Sequence, residues 1–223
     1  MSDLQVDTER ILQGAEALFE SEGFEQVSLQ DIADTSGLPL DVIKPAYPTT
    51  AHIALSIYHH LADESLQALD CLEDGRISER YFVVMENKLA QLTQHQESVS
   101  ALFSIAMRPN SGILPSEISP GLRDPMMSVM QAVITGATDS PSKNNNDLTF
   151  LLYAFHFLVI IFWLYDRTDE KEASHLFTNF LREFVKISRP MMVMPMFTRA
   201  LNKMAKIMMV VFGGARLLDE SVL

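Results

Sequence analysis

The chain has little of what a sheet-rich or disulfide-stapled protein needs. Its 223 residues include 9 glycines and 10 prolines. That is few for the many tight turns of an all-β fold, so helices are favoured. A single cysteine, Cys71, excludes an internal disulfide, fits a reducing compartment and reads as an ordinary thiol. Positive charge is scarce at the start. Residues 1–70 hold two basic residues, Arg10 and Lys44, against 13 acidic ones, so −11 of the net −12 lies there. The stretch from Met1 to Glu9 is polar and acidic, with neither a basic nor an apolar run; no secretory signal is read there, and a cytoplasmic protein is expected. Catalytic signatures are missing too: there is no GxSxG, no P-loop and no GxGxxG after a strand. His59 and His60 are neighbours and diverge on a helix, and neither makes a short metal-ligand spacing with His52. The sequence therefore points away from an enzyme and implies no metal or cofactor.

What is present is helical. Ile11, Leu12, Ala15, Leu18 and Phe19 recur at helical spacing while Glu9, Glu16 and Glu20 fall off the stripe. Gly23 is placed to stop that helix. Ser28-Leu29-Gln30-Asp31 reads as a capping box that opens a second helix, Leu29 to about Thr35, burying Ile32 and Ala33. Gly37 supplies the next turn, and Pro39 suits the first position of a short third helix. Pro45 ends that helix by removing a donor and pushing Lys44 out of the α region. A fourth helix is expected from Thr50 to Asp70. Longer ones follow at about 76–96, 97–107, 124–136, 148–165 and 169–188, and a last one at about 197–212. Residues 109–120 and 138–147 read as loops. These positions divide into a head (1–55), a body (56–190) and a Met-rich basic tail (191–223).

The string TERILQGAEALFESEGFEQVSLQDIADTSGL resembles the opening of TetR/AcrR-family transcriptional regulators. In that family a long first helix ends in Gly-aromatic, a capped second helix follows, and a Gly opens the recognition helix; here these are Gly23-Phe24, Ser28, Asp31-Ile32-Ala33 and Gly37. Tyr47-Pro48 matches the aromatic-Pro step before helix four. Far downstream, FHFLVIIFWLYDRTDEKEASHLFTNFLREF is similar to the last two bundle helices of such regulators. The resemblance implies an all-α fold, a three-helix helix-turn-helix head on a larger antiparallel helical bundle. It also implies a homodimer that binds DNA through its heads and a small apolar ligand in each body, with helix four moving between two states. On that basis Ser28, Gln30, Pro39, Leu40, Lys44, Tyr47, Thr49 and Thr50 are the candidate DNA contacts, and Phe162, Trp163, Phe177, Phe180 and Phe184 the candidate dimer contacts.

Several head positions depart from the family pattern. Pro39 and Leu40 stand where a small polar and often a basic residue are usual. Val42 stands where a small or hydroxyl residue is usual, Lys44-Pro45 match an aromatic and basic-or-His pair, and Thr50 matches the phosphate-gripping Lys. Phosphate contacts supply much of the affinity for DNA. A second reading follows, that of a TetR-like fold without DNA binding that holds a lipid or other apolar molecule, or contacts a protein or membrane.

In the body, Leu148 to Tyr165 is apolar but for Thr149 and His156. It meets the length of a short membrane span, yet an all-round apolar helix is also what a buried bundle core needs, and the core reading is preferred. Phe103, Met107, Met126, Met127, Met130, Tyr153, His156 and Phe157 are expected to line a cavity, since aromatic and Met walls suit an apolar ligand of variable shape. Seven of the 13 methionines lie between Met191 and Met209. There Arg199, Lys203 and Lys206 share a face, as in a basic amphipathic helix that closes the bundle or meets a membrane or protein partner.

Overall fold

A computed structural model describes residues 3–70, 75–106, 119–141 and 145–191, with 196, 199, 200 and 203 in addition. Nine α-helices account for most of these: α1 (Asp3–Glu22), α2 (Leu29–Ser36), α3 (Leu40–Ile43), α4 (Thr50–Asp70), α5 (Ile77–Gln94), α6 (Gln96–Ala106), α7 (Ser119–Thr135), α8 (Asn145–Tyr165) and α9 (Glu172–Met191). The described residues form no strand, only one isolated bridge between Gly75 and Ala137, so the all-α expectation holds. The chain divides into two compact units, one of residues 1–61 and 91–122, the other of 62–90 and 123–223. The first therefore takes α6 together with the head.

In the first unit, the apolar stripe of α1 is the hinge of the packing. Ile11, Ala15 and Phe19 are buried with Ile32 and Ala33 of α2, and Phe19 meets Phe24 with ring centroids 5.0 Å apart. The Ser28 box forms in full: Asp31 N–H donates to Ser28 Oγ (3.3 Å) and Ser28 N–H donates to Asp31 Oδ2 (2.8 Å). The two bonds satisfy amides that a helix start leaves open and hold the Asp31 carboxyl below its ordinary pKa. Gly37 ends α2 in the left-handed region at φ 67°. His95, between α5 and α6, is hydrogen-bonded to Glu16 of α1.

In the second unit, α8 and α9 run antiparallel, as their ring pairs show: Phe155 with Phe184 (5.7 Å) and Phe162 with Phe177 (4.8 Å). His175 Nδ1 lies 2.8 Å from Glu86 Oε2, and the Arg182 guanidinium lies over the Phe82 ring at 4.6 Å, so α9 is also antiparallel to α5. Arg80 of α5 donates to the carbonyls of Val133 (3.1 Å) and Ala132 (3.3 Å) and so caps the end of α7. The turn after α8 is organised by Asp166. Its Oδ1 accepts from the Thr168 N–H (2.9 Å) and hydroxyl (2.6 Å), and its Oδ2 from the Ser174 N–H (2.8 Å) and hydroxyl (2.6 Å). These bonds hold its carboxyl far below the usual range. Lys171 then donates to the Trp163 and Asp166 carbonyls (3.2 and 2.8 Å), although it and Glu170 must adopt positive φ, 57° and 49°.

Several boundaries differ from those read in the sequence. Pro39 is the N-cap of α3, extended at ψ 141°, with Leu40 the first helical residue. Lys44 stays in the α region (φ −59°, ψ −34°) despite Pro45. The pre-proline clash disfavours that conformation without forbidding it, and the bonds from Lys44 N–H to Leu40 and from Tyr47 N–H to Ile43 keep the turn. α7 begins at Ser119 rather than near 124, with Pro120 in its first turn, where no donor is needed. Along α9, Leu181 and Val185 face inward, whereas Leu176, Phe180 and Phe184 are exposed. α8 is long and apolar enough to cross a membrane, yet 61% of its apolar window is buried within the protein, as a core helix requires. Cys71, Met107 and most of the expected last helix lie outside the described residues.

Candidate functional site

Three places carry the sequence-derived candidates. In the head, α2, the Gly37 turn and α3 form the helix-turn-helix. Ser28, Gln30, Pro39, Lys44 and Thr49 are exposed, and Leu40, Tyr47 and Thr50 half-buried. Much of the polar capacity is already engaged. Ser28 Oγ also donates to Asp31 (2.6 Å), Gln30 Nε2 donates to Asp34 Oδ1 (2.8 Å), and Thr49 Oγ1 lies 2.8 Å from His52 Nδ1. One residue that sequence reasoning missed is Arg10. Its Nη2 donates to the Ser36 carbonyl at 2.5 Å, capping α2, with Asp7 3.9 Å from its other terminal nitrogen. Of the two cations in residues 1–70, one is therefore spent on holding the turn, and Lys44 is left on α3. Val42, half exposed at 50%, gives the α3 surface an apolar centre.

In the body, Met126 and Met130 of α7 and Tyr153 and His156 of α8 are all buried, and the Tyr153 and His156 rings stack with centroids 6.0 Å apart. Phe157 is half-buried. Met127 instead lines an open groove of about 800 Å³ between α7 and α8, with Ser128, Gln131, Thr149 and Phe150; Thr149 Oγ1 donates to Gln131 Oε1 across it at 2.9 Å. Phe103 belongs to the first unit, where its ring meets Tyr58 edge-on.

The helical spacing Ile77, Tyr81, Val84, Met85, Lys88, Leu92 would have exposed a further member, Lys88, which lies on the buried stripe of α5 at 0% exposure. Burial pulls its ammonium down to about 7, against the opposing charge of Glu64. Burial, with the Lys88 charge as a second cause, holds His156 at about 3, so its ring is neutral. Both His156 nitrogens lack a hydrogen-bond partner among the described residues. Burial alone drives Tyr81 well above its ordinary value.

The outer faces of α8 and α9 form a third surface. Leu158, Phe162, Tyr165, Leu176, Phe180, Phe184 and Ile187 are 42–81% exposed. Of the expected dimer residues, Phe162, Phe180 and Phe184 lie on this surface, Phe177 is half-buried, and Trp163 is buried. At 1% exposure Trp163 belongs to the core of the chain, because its position on α8 faces away from the Phe162 stripe. Among the described residues no group of His, Cys, Asp and Glu is arranged to hold a metal.

Comparison with known proteins gives a fold. No family model and no curated protein matches the chain. Solved structures do. A TetR transcriptional regulator from Nitrosomonas europaea superposes with a TM-score of 0.60 at 16% identity, covering 79% of this chain and 96% of that one. A putative TetR-family regulator from Syntrophomonas wolfei gives 0.63 at 13%, covering 83% and 97%. FadR from Bacillus subtilis, solved in complex with stearoyl-CoA, gives 0.55 at 11%, covering 78% and 96%. The chain thus has the all-α fold of TetR-family transcriptional regulators.

Proposed function

We propose that the protein is a cytoplasmic, homodimeric, ligand-responsive transcriptional regulator, acting as a repressor, that docks on DNA through α2 and α3. The observation that carries this reading is the completed helix-turn-helix. The Ser28 box, the left-handed Gly37 and the Arg10 cap on Ser36 fix α3 against α2 with an outward face. The fold shared with regulators supports it, and a structural relative crystallised with stearoyl-CoA supports an apolar ligand in the body. The exposed stripe of α8 and α9 supports a dimer, since a patch of large apolar side chains on a monomer calls for a partner. Ligand binding in the body would bias α4, which continues directly from the head at Thr50 to Asp70.

The test is binding of the purified protein to its own upstream DNA beside a scrambled duplex, across a salt series. With Lys44 as the main phosphate contact of each protomer, the expected slope of log K against log salt is shallow, about −2. Lys44→Ala flattens it further. No preference for the upstream duplex at low salt would defeat this reading.

One observation favours a second function for the same fold. The −11 charge of residues 1–70 and the diversion of Arg10 into the α2 cap leave a head that repels phosphate. A lipid-binding or partner-binding protein without DNA recognition would then use the body and the tail, where Arg199 and Lys203 are helical and exposed. Binding to anionic vesicles but not to DNA would favour it.

A further inference from the structure

The outer face of α3 offers few groups that can read a base. Ile43 is fully buried and pins one side of the helix to the head. Pro39, Asp41, Val42, Lys44 and Pro45 are exposed, and Leu40 is half-buried. The Val42 N–H donates to the Pro39 carbonyl (3.0 Å) and the Lys44 N–H to the Leu40 carbonyl (2.9 Å), which fixes that arrangement. At 50%, Val42 is the one exposed large apolar side chain among the described residues of the head.

The chemistry of this face is narrow. The two prolines have no N–H. Val42 brings only methyl groups, Asp41 only accepts, and Lys44 is the sole side-chain donor. The polar side chains around α3 are already engaged inside the head. Ser28 Oγ donates to Asp31 (2.6 Å), Gln30 Nε2 donates to Asp34 (2.8 Å), and Thr49 Oγ1 lies 2.8 Å from His52 Nδ1. In the major groove each base asks for something different. Guanine shows two acceptors and calls for a donor. Thymine shows a methyl group and calls for an apolar contact, and its adenine partner shows an amino group and calls for an acceptor. With Lys44 spent on a phosphate, α3 has no side-chain donor left for guanine. It does have a methyl-bearing side chain and a carboxylate, which suit a thymine–adenine pair. The charge of −11 over residues 1–70 weakens the attraction to phosphate, so discrimination falls to the base edges.

We propose that α3 selects thymine by its C5-methyl group, with Val42 as the specificity-determining side chain. This rests on the reading of α2 and α3 as a DNA-docking unit and adds which base that unit selects.

The experiment enriches duplexes from a randomised pool on the full chain, then remakes the enriched duplex with deoxyuridine in place of thymidine. That exchange removes the methyl group and keeps the base pairing. One buried methyl group is worth about fourfold in affinity, so with one contact from each protomer of a dimer the uracil duplex should bind about tenfold more weakly. Val42→Ser, which removes both methyl groups from a half-exposed side chain, should bind the two duplexes equally. Val42→Thr keeps one methyl group and should keep part of the preference; it serves if circular dichroism shows that the serine variant does not fold. Equal affinity of the wild type for the two duplexes overturns the methyl readout. A preference that survives Val42→Ser overturns the role of Val42. Both results leave DNA binding by the helix-turn-helix intact. If no duplex is enriched over the starting pool at low salt, the DNA reading itself falls and this inference with it, and the α3 face is left to a protein partner.

Discussion

The head and the body spend their polar groups in opposite ways. In the head, polar side chains are exposed and locally paired. Ser28 with Asp31, Gln30 with Asp34 and Thr49 with His52 are all three or four residues apart. In the body core, the Tyr81 hydroxyl, the His156 ring nitrogens and the Trp163 indole N–H are buried with no hydrogen-bond partner among the described residues, and Lys88 is buried as well. The difference teaches where each part is rigid by design. The head is stabilised by short-range capping, which fixes one shape. The body core holds hydrogen-bonding groups without a partner among the described residues.

The largest test of this contrast is acid. The folded pKa of His156 is depressed to about 3 from an ordinary 6.5. The unfolded chain therefore binds the extra proton as pH falls below 6.5, and stability drops from there down to about 3, by at most about 1.4 kcal/mol per pH unit. Chemical denaturation at a series of pH values should show that slope in wild type and lose it in His156→Phe. Asp166, whose folded pKa is also depressed, adds a further loss as pH falls below its ordinary 3.8, so Asp166→Asn should blunt the last part of the limb. An unchanged limb in His156→Phe would break the comparison.

Next in size, Lys88→Met should raise the unfolding free energy at pH 7 by on the order of 2 kcal/mol, since it removes a buried ammonium. The sign is fixed by the depressed folded value of about 7 against 10.5. Wild-type stability rises with pH between those values as the unfolded chain gives up its proton, and the variant lacks that rise. A destabilised variant would mean that the ammonium is better served in the fold than its burial implies.

Head substitutions should cost less and act locally. Gly37→Ala forces a side chain into the left-handed region at φ 67°, with its Cβ only 2.9 Å from Arg10 Nη2; a loss of about 1–2 kcal/mol is expected. Ser28→Ala removes the α2 cap at about 1 kcal/mol. Both should lower amide protection of α2 in hydrogen exchange and leave α8 untouched. The smallest effect on folding, and the sharpest on assembly, should come from Phe180→Glu on the exposed stripe of α9. It should turn a dimer into monomers in sedimentation while helicity is retained.

Much of the head was legible because its signals are local. The Ser28 box, Gly37 and the Thr50–Asp70 helix are written in neighbouring residues and formed as read. Pro45 misled because a disfavoured conformation of Lys44 costs less than the two carbonyl bonds that retain it. In α9 spacing alone does not tell which apolar residues meet a core, and the structure buries Leu181 and Val185 while exposing Leu176, Phe180 and Phe184. Phe103 and Trp163 carried residue types that suit a pocket and an interface; the structure sets Phe103 against Tyr58 in the first unit and buries Trp163 at 1% exposure.

By itself, then, the sequence determined that the protein is all-α and opens with a capped helix-turn-helix whose surface is poor in cations. Those properties follow from periodicity, caps and charge, which act within a few residues. Only the tertiary structure decided that Lys88 is buried, that His156 is buried with no hydrogen-bond partner among the described residues, that Arg10 serves the α2 cap, and that Phe180 rather than Trp163 faces outward. Each depends on which helix faces come together, and a desolvated charge is created by its neighbours rather than by the residue that carries it.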